Sequence, residues 1–158
     1  MAATCQVTTL KAMNMVQVYI KGQEDKELSS FLRYYPVRIK NIGMDAFFDR
    51  QVIYDFKDGR NHADVAKCVA KMLVKVVGER TAVHGTKVKK EERAKRLKEK
   101  NNIEVDANFF KNKIVCIWDD VVTTGTSFCA YTAQLEQVGA HVTNGIFLGK
   151  TSYKYVQQ

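Results

Sequence analysis

The apolar positions near the start of the chain recur at nearly helical spacing. Over residues 7–21, and again over 24–34, they fall on about every third or fourth position, which predicts two consecutive helices. The second helix is expected to bury Leu28, Phe31 and Leu32. Together the two helices predict a small helical cap over the remainder of the chain.

The pattern changes twice in the next thirty residues. Over 51–57 apolar and polar residues alternate, which predicts a strand or an extended segment followed by a turn at Asp58. Asn61 or Asp64 can then start a helix that runs to about Val77. Its predicted apolar stripe consists of Ala66, Val69, Ala70, Leu73 and Val77.

A third region predicts a strand, a helix and a second strand in order. The run 114–118 is rich in β-branched and aromatic residues and lacks polar alternation, so it predicts a strand covered on both faces. A helix is expected over 127–138, and another strand over 141–148. By the usual topology this is a right-handed parallel βαβ unit. The fold class is therefore α/β, with a small parallel sheet flanked by helices.

The junction between the first strand and the helix carries the candidate chemistry. Asp119 and Asp120 follow the strand, and ligands bind outside the carboxyl ends of strands in open α/β sheets. The turn that follows offers hydroxyl groups, a glycine and a helix N-terminus, which suit a phosphate, while the carboxylates suit the hydroxyls of a sugar. The turn consists of Thr123, Thr124, Gly125, Thr126 and Ser127. Alternatively, the acids end a strand and the turn only caps a helix.

These residues resemble the phosphoribosyl-pyrophosphate (PRPP) motif of the type I phosphoribosyltransferases. That motif reads as four apolar residues, two acids, two apolar residues, Thr-Thr-Gly, one variable residue, then Ser or Thr, and every position matches. The resemblance implies that Asp119 and Asp120 are the catalytic acids and hold the ribose 2′ and 3′ hydroxyls. It implies that 123–127 binds the 5′-phosphate, and that PRPP brings Mg²⁺, which it holds mainly itself. No protein metal ligand is expected.

The resemblance also divides the chain and suggests partners. Residues 1–50 correspond to a cap or hood that selects the acceptor base, and 51–158 to the phosphoribosyltransferase-like core. The expected partners are PRPP and a nitrogenous base, and a homodimer is left open. The aromatic candidates for stacking on the base are Tyr34, Tyr35, Phe47 and Phe48, although packing of the cap against the core is the favoured role for most of them.

Composition limits the other classes of function. The 158 residues, 46% of them apolar, can bury one core, and no apolar run approaches the ~18 residues of a membrane span. The start of the chain lacks the order of a signal peptide. Four scattered cysteines favour neither a metal site nor a disulfide framework, so reduced thiols in a cytoplasmic protein are expected, with Cys116 and Cys129 in the core.

The net charge of +8 is concentrated in one segment. Residues 85–100 contain eight Lys or Arg and three Glu and have almost no apolar face. Three interpretations are open: a solvated linker or surface helix, a lid over a pyrophosphate-bearing substrate, and a nucleic-acid contact, which is the least favoured. The family resembled has a flexible loop at this place, which favours a lid containing Lys87, Lys89 and Lys90.

One departure from the family bears on catalysis. Between the first core helix and the basic segment, family members have a further strand, a pyrophosphate-binding loop and a helix, none of which is visible in this sequence. The fold is therefore expected to be abridged. Two functions follow: a phosphoribosyltransferase that releases pyrophosphate, and, as the alternative, a non-catalytic regulatory protein that binds PRPP or a nucleotide.

Overall fold

The computed structural model of the protein describes residues 15–77 and 105–156, with the side chains of 74–77 excepted. The predicted lid residues Lys87, Lys89 and Lys90 lie outside these ranges, as does the whole basic segment 85–100. Within the described ranges, no helix has the length and apolar character needed to cross a membrane.

The described chain forms an α/β structure around a four-stranded mixed sheet. The elements are β1 (Val16–Gln17), β2 (Glu27–Tyr34), α1 (Met44–Lys57), α2 (His62–Val77), α3 (Ala107–Phe110), β3 (Ile114–Val122), α4 (Thr126–Gln137) and β4 (His141–Thr151). The strand order is β1-β2-β4-β3. β1 is antiparallel to β2, whereas β2, β4 and β3 are mutually parallel, so the sheet is mixed and not purely parallel as predicted.

The predicted helical cap is wrong in its described part. Residues 27–34 form a strand of the sheet, and Val16 pairs with Ser30 of that strand. Leu28, Phe31 and Leu32 are buried as expected, but they are distributed between the two faces of the sheet. A strand buried on both faces has no polar alternation, so its apolar spacing resembles that of a helix.

The strand predicted over 51–57 is also wrong, because these residues are the second half of α1. Val52 and Ile53 are buried, and Phe56 packs beside them, at the spacing of one helix face. The predicted domain boundary near residue 50 therefore falls inside a helix. α2 is confirmed, although its buried side is formed by Val65, Cys68 and Val69, while Ala66 and Ala70 of the predicted stripe are exposed.

The βαβ unit is confirmed as parallel, with β3 and β4 joined through α4. The unit is longer than predicted at both strands, since β3 continues to Val122 and β4 to Thr151. β3 is the outer strand of the sheet in the described residues, and most of its side chains are only partly buried. Its side chains nevertheless pack against apolar residues on both faces of the sheet, as its apolar sequence predicts, although this edge strand is less completely buried than an inner one.

Two apolar cores lie on opposite faces of the sheet. The first joins α1 and α2 to the sheet and contains Ile53, Val65 and Leu148. The second lies under α4 and contains Phe128 and Phe147. Burial stabilises each large side chain by about 1.5–3 kcal/mol relative to exposure, so these two layers hold the helices against the sheet.

Strand β4 leaves room for both helical layers. A Cβ atom at Gly145 would stand 2.6 Å from the Phe128 ring, and one at Gly149 would stand 2.5 Å from Cδ1 of Ile53. Both distances are too short for real contacts, so the absence of these Cβ atoms lets one side chain of each core approach the strand. The central strand thus sets the depth at which α4 and α1 pack.

The described cysteines are free thiols. Cys68 is buried, while Cys116 and Cys129 are partly buried and pack against the first and the second core, respectively. Burial raises the pKa of Cys116 to about 11, so its thiol is protonated and unreactive near neutral pH.

Arg50 of α1 fixes the chain that leaves β2. Its guanidinium donates hydrogen bonds to the carbonyl oxygens of Tyr35 (2.6 Å), Pro36 (3.2 Å) and Ile39 (3.0 Å). Three backbone acceptors in a non-regular segment are thereby satisfied by one side chain.

Replacing Arg50 by alanine is expected to lower the free energy of unfolding by about 2–3 kcal/mol, because carbonyl groups lose a charged donor. Chemical denaturation of Arg50→Ala would measure this loss. The control is Arg33→Ala at an exposed position of β2, which is expected to change stability by less than about 0.5 kcal/mol. Equal losses in the two variants would contradict the role assigned to Arg50.

Candidate functional site

The candidate site lies at the edge of the sheet where the parallel strands end. β2, β4 and β3 run in the same direction, so the segments that follow Tyr34, Thr151 and Val122 emerge on one side. This is the side on which ligands bind in open α/β sheets. The chain from β2 passes to α1 on one face, and the chain from β3 passes to α4 on the other.

An open cleft of about 140 Å³ occupies this edge. It lies on the α4 face and is lined by Asp119, Val121, Val122, Thr123, Thr124, Gly125, Thr126, Ser127, Phe128 and Phe147. All five residues of the predicted phosphate turn are thus brought together with the first of the two acids. The second acid, Asp120, does not line the cleft.

Gly125 determines the shape of the turn. Its φ of +87° lies in the left-handed region, and it directly precedes α4. A Cβ atom at this position would stand 2.7 Å from carbon atoms of Ile20, so the glycine is required by space as well as by conformation. Gly125 has no side chain to cap α4, and the first-turn N–H groups of a helix have no partner within the helix. The turn therefore presents backbone donors at the positive end of the helix dipole.

The two acids lie within β3 and not after it. The backbone N–H of Asp120 donates to Oδ1 of Asp119 (2.8 Å), and the N–H of Val121 donates to Oδ1 of Asp120 (2.7 Å). A carboxylate has about four acceptor positions, so a single local bond of this kind does not use its full acceptor capacity.

The alternation of side chains along β3 shifts at the acids. Trp118 and Val121 both pack against the first core, while Ile117 and Val122 both pack against the second. A regular strand would place members of each pair on opposite faces, because their separations are odd. The acids therefore occupy a part of β3 in which the alternation is irregular. Asp119 lines the cleft and its neighbour Asp120 does not, as alternation of adjacent side chains between the two faces would give.

Hydroxyl groups of the turn are held by hydrogen bonds within the protein. Oγ1 of Thr123 lies 2.8 Å from Oγ1 of Thr151, and Oγ1 of Thr124 lies 2.9 Å from Oγ1 of Thr126. A hydroxyl can donate one hydrogen bond and accept two, so each pair has one proton that is not used between its two oxygens. The turn is thus oriented before a ligand arrives.

Lys150 is a site residue that the sequence analysis missed. Its Nζ donates a 2.6 Å hydrogen bond to the carbonyl oxygen of Thr123, the first residue of the turn. Partial burial lowers the pKa of Lys150 from its ordinary value. The signal available in the sequence was a single lysine that follows the apolar run of β4, at a distance of 27 residues from its partner.

The aromatic candidates for base stacking do not line the cleft. Tyr35 is buried and packs edge-on against Tyr155, and Tyr34 packs edge-on against Tyr54. Phe47 and Phe48 are exposed on α1 and contact each other. Tyr34 and Tyr35 therefore pack against other aromatic residues of the protein.

Comparison with protein-family models, with curated proteins and with solved structures finds no match to this chain. In the described ranges, no group of three or more His, Cys, Asp or Glu residues is placed to hold a metal ion. The function of the protein is therefore inferred from the cleft and the chemistry of its side chains.

Replacing Gly125 by alanine is expected to destabilise the protein more than the same change at Gly22. Both glycines have positive φ, but a Cβ at Gly22 meets no atom within 4 Å. Gly22→Ala is expected to cost about 1–2 kcal/mol for the left-handed conformation. Gly125→Ala is expected to cost a further ~1–3 kcal/mol for the overlap with Ile20.

Chemical denaturation of the two variants measures this difference. The decisive control is a double-mutant cycle with Ile20→Ala, because removal of the Ile20 side chain should bring the cost of Gly125→Ala close to that of Gly22→Ala. Additive effects in the cycle would show that the contact does not constrain the turn.

Proposed function

We propose that this protein is a phosphoribosyltransferase that binds PRPP and transfers its phosphoribosyl group to a nitrogenous base, with release of pyrophosphate. The observation that carries the proposal is the cleft in which Asp119 lies beside the Thr123–Ser127 turn. A carboxylate suits ribose hydroxyls, and a turn with hydroxyl and N–H donors at a helix N-terminus suits the 5′-phosphate. One ligand that has both groups is a phosphorylated ribose.

The chemistry expected of the site follows from this substrate. The bond between C1 of the ribose and pyrophosphate breaks, positive charge develops on the sugar ring, and a nitrogen atom of the base attacks C1. Asp119 would orient the ribose and stabilise the developing charge, whereas Asp120, which does not line the cleft, would act only through its nearby negative charge. The Thr123–Ser127 turn would bind the 5′-phosphate. Because the ribose would be held at both its hydroxyls and its phosphate, C1 would have a fixed position.

The donor set of the cleft fits a magnesium ion that arrives with the substrate. Asp119 is a single carboxylate, and Mg²⁺ is commonly bound by one or two carboxylates together with substrate phosphates and water. When bound, the ion would neutralise the pyrophosphate leaving group. The residues of this chain would orient the ribose and hold it in one position in the cleft.

A second candidate function is a regulatory protein that binds PRPP or a nucleotide without turnover. It is favoured by the lining of the cleft, in which Asp119 is the one ionisable side chain among the described residues. Pyrophosphate is a strongly charged leaving group, and a catalyst gains from placing cations around it. Ribose and 5′-phosphate binding requires less positive charge than pyrophosphate departure does.

Calorimetric titration of PRPP with Mg²⁺ is expected to show saturable binding that Asp119→Asn weakens about 10- to 100-fold, the effect of losing a charged acceptor. Asp120→Asn is expected to weaken binding less, because Asp120 does not line the cleft. The control for charge is Asp58→Asn at an exposed helix end, which should leave the affinity unchanged.

A pyrophosphate-release assay with a panel of bases separates the two candidate functions. Release that depends on a particular base supports the transferase, whereas PRPP binding without release supports the regulatory protein. Absence of PRPP binding by the folded protein would contradict both.

A further inference from the structure

Among the described residues, none that lines the cleft is a cation. Of the ten residues that line it, Asp119 alone is ionisable, and its charge is unfavourable for an anion. A phosphate monoester carries a charge of about −1.5 to −2 near neutral pH, whereas hydroxyl and N–H groups supply only partial positive charge. A sugar phosphate in this cleft would therefore be held best if a full positive charge stood next to the turn.

Lys150 lies next to the turn. Its Nζ is 2.6 Å from the Thr123 carbonyl oxygen, and the strand register pairs Lys150 with Val122, a residue that lines the cleft. Val122 packs against the second core, so the pairing places Lys150 at the level of the cleft and next to its lining strand. Of the described cationic side chains, Lys150 is the one whose hydrogen bond reaches the turn.

Other described cations near the sheet have different contacts. Lys26 is paired with Asp25 and Glu136, and Arg50 holds the segment after β2. Arg60 is paired with Asp55 and Asp58. Lys150 instead donates to a carbonyl oxygen, which is neutral. That hydrogen bond therefore does not neutralise the charge of the lysine.

We infer that Lys150 supplies the positive charge that binds the phosphate monoester of a sugar phosphate at the Thr123–Ser127 turn. This role rests on the proposed function, since it assigns the ligand of the same cleft. An ammonium group has three donors, so Lys150 can keep its bond to Thr123 and donate another to a phosphate oxygen. Its partial burial makes the ammonium costly without an anion, and a bound phosphate would reduce that cost.

The role of Lys150 is tested with a charged and a neutral form of the same sugar. Ribose 5-phosphate and ribose are titrated by NMR against the wild-type protein and against Lys150→Met, Lys150→Arg and Lys154→Met. Lys154 is an exposed lysine four positions along the chain, so it controls for net charge. Denaturation curves establish that every variant is folded.

Lys150→Met is expected to weaken ribose 5-phosphate binding about 10- to 100-fold and to leave ribose binding unchanged. Lys150→Arg should restore most of the affinity for ribose 5-phosphate, and Lys154→Met should match the wild-type protein. Because a purely structural effect on the turn would weaken both ligands together, an equal loss for ribose and ribose 5-phosphate would overturn the inference.

The remaining outcomes separate this inference from the proposed function. Wild-type affinity for ribose 5-phosphate in Lys150→Met would overturn the role of Lys150 and leave the proposed function standing. If the wild-type protein binds neither ribose 5-phosphate nor PRPP, the proposed function fails and the role of Lys150 fails with it.

Discussion

The parallel pairing of β4 with both β2 and β3 is the constraint on which the rest of the structure depends. Most of β4 is buried, and it brings together a strand that begins at residue 27 and a strand that begins at residue 114. The missing Cβ atoms of Gly145 and Gly149 let Phe128 and Ile53 approach from opposite faces. Because all three strands end on one side, the same pairing creates the edge at which the cleft forms.

The parts of the fold that could be predicted are those in which local pattern and final environment agree. α4 starts beside a glycine turn and presents one face to the sheet, and β3 contains a continuous apolar run, so both were recognisable. β2 was not recognisable, because burial on both faces gives its apolar residues a spacing that resembles that of a helix. The second half of α1 was misread because Tyr54 is half-buried and completes an apparent alternation with Val52 and Phe56.

The candidate site likewise has parts that the sequence predicts and parts that it does not. The turn was predictable because a short stretch of sequence contains its hydroxyl groups and its glycine. Lys150 and Thr151 were not predictable, since they reach Thr123 only after β4 has paired with β3. Nor does the sequence distinguish the two acids, because it does not show which face of β3 carries the cleft; the structure places Asp119 in the lining of the cleft and Asp120 outside it.

The position of Trp118 has a consequence for how ligand binding is communicated through the protein. Its indole packs edge-on against Phe31 and Phe56 in the first core, whereas Asp119, the next residue, lines a cleft on the opposite face. A ligand in the cleft is therefore screened from the chain's single tryptophan by the sheet itself. Because the indole does not line the cleft, a change in its emission on binding would report an effect transmitted through β3 rather than contact with the ligand.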